Sequence, residues 1–130
     1  MKRLVFFGIL SILPAALAAP ADLNGPWTKT TSSDPHNLTL FFQQGEEIHA
    51  IGFSVVLGGK AAWHAVGTLL GNRLRMRYRH SSEALPQGWE PEGSMELMLS
   101  EDANKLTGTS TAASGGWSGP TEFIRVGSGR

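Results

Sequence analysis

Ala65-Val66-Gly67-Thr68-Leu69-Leu70-Gly71-Asn72-Arg73-Leu74-Arg75-Met76-Arg77-Tyr78 decides the fold. Gly71-Asn72 suits a two-residue hairpin turn, which sets Leu70 opposite Arg73. Leu69 then faces Leu74, Gly67 faces Met76 and Ala65 faces Tyr78. Those pairs are apolar and share one face. The other face holds Thr68 with Arg75, Val66 with Arg77, and His64 with Arg79. One turn sorts both strands into an inner and an outer side, because side chains alternate with a period of two.

Further turn signals recur on either side of this hairpin. They are Asp22-Leu23-Asn24-Gly25-Pro26, Gln44-Gly45-Glu46, Gly58-Gly59, Asp102-Ala103-Asn104 and Ser114-Gly115-Gly116. The short runs between them predict strands near 26–32, 36–43, 47–55, 60–70, 73–80, 93–100, 105–111 and 117–126. A three-residue loop at Gln44–Glu46 would pair Phe42 with Ile48, Leu40 with Ala50, and Leu38 with Gly52. A turn at Gly58-Gly59 would set Ser54 against Trp63 and Gly52 against Ala65. Near the end, Leu99 should face Leu106 and Leu97 should face Gly108. No convincing helical stripe interrupts the series. The fold class is therefore all-β, an eight-stranded antiparallel up-and-down β-barrel. A two-sheet sandwich is the competing architecture, but it would usually need a Greek-key crossover.

The chain of 130 residues is long enough for one domain, expected over 22–127. Its start reads as a signal peptide over residues 1–18. Lys2 and Arg3 precede an apolar run from Leu4 to Leu13, and Ala16-Leu17-Ala18 offers a small-residue cleavage site. The run is too short to span a bilayer. Export by a Sec-type signal to the periplasm or the exterior is the expected localisation, with no membrane span after signal removal. Removing the signal leaves 9 basic residues against 11 acidic ones. That balance gives no reason to expect nucleic acid as a partner. Cysteine is absent, so disulfides, thiolate metal sites and cysteine nucleophiles are excluded.

Gly25-Pro26-Trp27 resembles the Gly-x-Trp signature on the first strand of lipocalins and related calycin-type barrels. Leu23-Asn24-Gly25-Pro26-Trp27-Thr28 is also similar to the start of the avidin family, and Trp117 to Gly127 loosely resembles its ending. The resemblance implies a small secreted barrel. It also implies a Trp27 packed at the closed end against a basic residue of the last strand, here Arg125. It does not imply biotin, because Lys29-Thr30-Thr31-Ser32-Ser33 departs from the avidin pattern.

The expected ligand-binding residues are Trp27, Trp63, Met76, Tyr78 and Trp89. The first four fall on the inner face. Trp89 belongs to the long loop His80 to Glu92, near the barrel mouth. An eight-stranded barrel is just wide enough to be filled by side chains or to hold one small ligand. Arg73, Arg75, Arg77 and Arg79 read as a solvated outer row, partly neutralised by Glu92 and Glu96. No His, Asp and Glu spacing matches a metal site, and no cofactor motif is present. There is no catalytic motif, so the reading is non-enzymatic, although Tyr78 and His80 are the inner groups suited to acid–base work. Asn37-Leu38-Thr39 forms a glycosylation sequon.

The sequence thus points to an exported binding protein with a small, partly apolar ligand in its barrel. The alternative is a protein-interaction module, an inhibitor or accessory protein with a filled barrel. The sequence sets neither the ligand nor the oligomeric state.

Overall fold

In the computed structural model, residues 21–56, 59–81 and 85–127 are described. The expected signal segment lies outside them. The strands are β1 (Gly25–Lys29), β2 (Leu38–Gln44), β3 (Glu47–Val56), β4 (Gly59–Leu70), β5 (Arg73–His80), β6 (Glu92–Leu99), β7 (Lys105–Ala112) and β8 (Ser118–Arg125). Each pairs antiparallel with the next, and β8 returns to β1, with Trp27 opposite Arg125. The sheet is a closed up-and-down barrel, and no sandwich crossover joins the described strands. Closure pairs both edges of the sheet, so neither remains as a template for aggregation.

The β4–β5 hairpin has the expected register throughout, from Leu70 opposite Arg73 to His64 opposite Arg79. Leu99 faces Leu106 and Leu97 faces Gly108, again as the pattern predicts. Burial alternates along β3, with Ile48, Ala50, Gly52 and Ser54 turned inward.

Two hairpins differ from expectation. Between β2 and β3 the turn is two residues, not three, so Gln44 faces Glu47 and Phe42 faces His49. Gly45 has φ near +61°, which suits the first central position of a two-residue turn with glycine there. The one-residue difference flips β2. Phe41 is 1% exposed and packs edge-on against Trp27 and Phe123, whereas Phe42 is 51% exposed. Between β3 and β4 the ladder runs to Val56 opposite Gly59, a shift of two residues. An even shift keeps each side chain on its face but changes its partner. Gly52, not Ser54, lies opposite Trp63. The reason is packing: the Trp63 indole occupies the space over Gly52, where a Cβ would fall 2.1 Å from the ring.

The barrel has two unlike ends. One end is closed by the turns at 45–46, 71–72 and 100–104, together with the lead-in at 21–24. Leu23, Trp27, Phe41, Ile48, Leu74, Leu97, Leu106 and Phe123 fill it and are almost fully buried. The opposite end is ringed by the loops 30–37, 81–91 and 113–117, of which residues 82–84 are not described.

Candidate functional site

Trp27 is fully buried at the closed end. Its indole N–H donates to the Leu23 carbonyl at 3.0 Å. The Arg125 guanidinium lies 4.5 Å from its ring centroid in cation–π geometry, so the expected packing of a basic residue of the last strand against Trp27 is present. Arg125 also donates to the carbonyls of Asp22, Asn24 and Ala103, so it ties the lead-in segment to the turn before β7.

At the other end the barrel is hollow. A cavity of about 390 Å³ opens between the mouth loops. Its walls come from alternate positions of the strands. Ser54 (β3), Ala61 and Trp63 (β4), Tyr78 and His80 (β5), Met95 (β6), and Ser110 and Ala112 (β7) all face inward and line it. Lys29 lies two residues beyond Trp27 and so on the same inner face; it lines the cavity too. The loops add Thr31, Ser32, Ser33, Trp89, Glu90 and Trp117.

The cavity exists because the inner side chains shrink toward the mouth. The closed end carries Trp, Phe and Leu, whereas Ser54, Ala61, Ser110 and Ala112 leave the open end unfilled. Trp63 forms part of the floor, with its ring 6.2 Å from Phe123 in the filled core. An aromatic chain climbs from there to the rim. Tyr78 meets His80 with ring centroids 5.5 Å apart, and His80 meets Trp89 at 5.6 Å.

Of the five residues singled out from sequence, the structure brings Trp63, Tyr78 and Trp89 together around this cavity. The other two do not line it. Trp27 lies in the packed end beneath. Met76 is buried opposite Gly67 and Met95, one inward position closer to the closed end than Tyr78. Lys29, Ser54, Ser110 and Trp117 were not singled out. Parity with Trp27 is the signal that would have found Lys29.

Burial sets the electrostatics of the site. Tyr78 is held above the usual phenol pKa, mainly by burial and then by the nearby Glu90 carboxylate. His80 is held below the usual imidazole range, mainly by burial and then by the charge of Lys29. Lys29 is itself held below the usual ammonium range by burial. The Nδ1 atom of His80 is buried without a hydrogen-bond partner among the described residues. Its backbone N–H donates to the Pro91 carbonyl at 2.7 Å, which fixes the end of β5 beneath the long loop.

Asn37 serves the site indirectly. Its side chain accepts from the Lys29 N–H at 2.7 Å and donates to the Lys29 carbonyl at 2.9 Å. The sequon asparagine is 7% exposed and its amide is committed to holding β1. The arginine row of β5 lies on the outer face, as expected. Arg75 pairs with Glu96 at 3.1 Å, and Arg79 pairs with Glu92.

No protein-family model matches the chain, and neither a curated protein nor a solved structure matches it. The eight-stranded closed barrel is consistent with a calycin-like architecture.

Proposed function

We propose that this chain is an exported, non-enzymatic binding protein of lipocalin- or avidin-like kind, which holds a small, partly apolar molecule in the open end of its barrel. The observation that carries this reading is the cavity itself. A volume of about 390 Å³ falls within the range usual for small-molecule sites. It is lined by four aromatic residues that can bury apolar ligand surface and by eight polar or charged residues that can orient it. Binding needs no covalent step. Native mass spectrometry of the mature protein from its own source is the direct test. The expected result is an added small mass that denaturation removes. A bare mass, together with a tryptophan fluorescence spectrum unmoved by small aromatic and aliphatic compounds, would count against the pocket.

A second reading, a protein-interaction module, is favoured by one observation. The outer face of β2, β3 and β4 exposes Leu38, Phe42, Ile51, Phe53, Val55 and Val66 as one apolar sector. Such a sector commonly marks a contact surface. Cross-links in intact cells from this sector, and none from the arginine row, to one and the same protein would support it. If neither face cross-links, only the pocket reading stands.

A further inference from the structure

Lys29 poses a physical problem that the apolar cavity alone does not answer. Its side chain enters the barrel, where burial disfavours the ammonium form. Among the described residues, no carboxylate lies within ion-pair distance of it. Lys29 keeps some exposure, yet a charge even partly withdrawn from water without a partner is costly. The sequence nonetheless places it there rigidly, since Asn37 clamps both backbone polar groups of Lys29. A second polar group nearby is also unsatisfied. His80 Nδ1 is buried without a hydrogen-bond partner among the described residues, and His80 lies close enough to feel the charge of Lys29. Both residues line the cavity. The carboxylate that also lines it, Glu90, acts on Tyr78.

We propose that the cavity is built for a monoanion with a flat apolar body, its single carboxylate seated between the Lys29 ammonium and the His80 ring and its body against Trp63, Tyr78 and Trp89. This rests on the pocket reading and gives the ligand its chemical class. The carboxylate supplies the counter-charge that Lys29 lacks and an acceptor for an N–H at His80 Nδ1. Glu90 on the same cavity wall disfavours a second negative charge, which is why the class is a monoanion. A charge-assisted hydrogen bond is the strong kind. The neutral amide of the same shape forgoes the charge and brings donors where the site already has them.

The test uses matched acids and primary amides as probes: benzoate and benzamide, 2-naphthoate and 2-naphthamide, indole-3-acetate and indole-3-acetamide. Binding to the mature protein is read at pH 7 and low salt from tryptophan fluorescence and from the NMR shifts of the Trp63 and His80 signals. At least one acid should bind about tenfold more tightly than its amide. Lys29→Met should remove that preference while keeping the amide's affinity, and Arg75→Gln, on the outer face, should leave it intact. If Lys29→Met fails to fold, His80→Gln serves in its place and should reduce the preference. The acid's affinity should also rise as pH falls through the His80 pKa, below 6.5, with Tyr78 protonated across that window. Amides binding as well as acids, or a preference that survives Lys29→Met, would overturn the anion class and leave the pocket standing. Probes that move neither signal at millimolar concentration would overturn the pocket reading and this inference with it.

Discussion

Replacing Arg125 tests whether the closed end is locked by a charge or by a shape. The guanidinium donates from Nη1 to Asn24 O at 3.2 Å and from Nη2 to Ala103 O at 3.0 Å and to Asp22 O, while its flat face covers Trp27. Hydrogen bonds from a charged donor contribute about 1.5–3 kcal/mol each when well shielded. Two of these are at exposed positions, so about half of that is the reasonable share for them. The cation–π contact adds about 0.5–1 kcal/mol. Arg125→Met, which keeps an apolar stem over the indole, should therefore destabilise the barrel by about 3.5 kcal/mol, the lower end of that sum. In a domain of about 100 residues, that lowers Tm by about 16 °C. Arg125→Lys keeps the charge over Trp27 but offers a compact ammonium in place of a planar fork. It should recover no more than about half of the loss. Urea and thermal denaturation of the mature protein, followed by far-UV circular dichroism, give both numbers. If Arg125→Lys matches the wild type, or Arg125→Met costs under about 1 kcal/mol, the fork spanning the carbonyls is not what closes this end.

The remaining predictions concern register, packing and pH. Phe41→Ala should cost about 3–5 kcal/mol and Phe42→Ala under about 0.5 kcal/mol in urea denaturation, since one faces the core and the other water; equal losses would refute the two-residue turn at Gly45-Glu46. Gly52→Ala places a methyl 2.1 Å from the Trp63 ring, so it should cost about 1–3 kcal/mol and alter the near-UV dichroism of the indole. His80 has its folded pKa below 6.5, so the unfolded chain binds the proton more tightly and stability falls as pH drops from 6.5 through that folded value. The urea midpoint should decline between pH 7.5 and 5 less in His80→Phe than in the wild type; an unchanged slope would show that His80 is not the titrating group.

Strand number, order and two of the four hairpin registers are legible because turn chemistry and period-two alternation agree in the β4–β5 and β6–β7 hairpins. Where they conflict, the sequence misleads. In β2 the outward positions are Leu38, Leu40 and Phe42, and the inward ones are Thr39, Phe41 and Gln43. The more apolar face points to water, so the hydrophobic pattern favours the wrong register, and only the turn at Gly45-Glu46 sets it right. The same reversal produces the apolar outer sector, which a register slipped by one residue conceals. At the cavity, alternation identifies which residues point inward but not how far along the axis they lie. Trp27, Met76, Trp63 and Tyr78 share the inner face, yet the first two fall in the packed end and the last two at the cavity. Depth depends on strand tilt and on how the neighbouring ladders stagger, and neither is written in one strand's pattern. The loop residues Thr31, Ser32, Ser33 and Trp117 reach the cavity only through closure of the whole barrel.

The difference between the two ends is itself an argument about function. A barrel of eight strands is narrow enough to be filled from end to end, and the packed end shows that this chain does so where it carries large side chains. The open end departs from that solution in several ways at once. Ser54, Ala61, Ser110 and Ala112 leave volume empty, Lys29 is partly withdrawn from water, and among the described residues Lys29 has no carboxylate partner and His80 Nδ1 has no hydrogen-bond partner. Each feature lowers stability, and larger apolar side chains at the same positions would remove the empty volume and the buried charge. Local departures from good packing and polar satisfaction concentrate where a protein does its work. The departures here share one cavity, and a ligand with an apolar body and a negative head would answer all of them together.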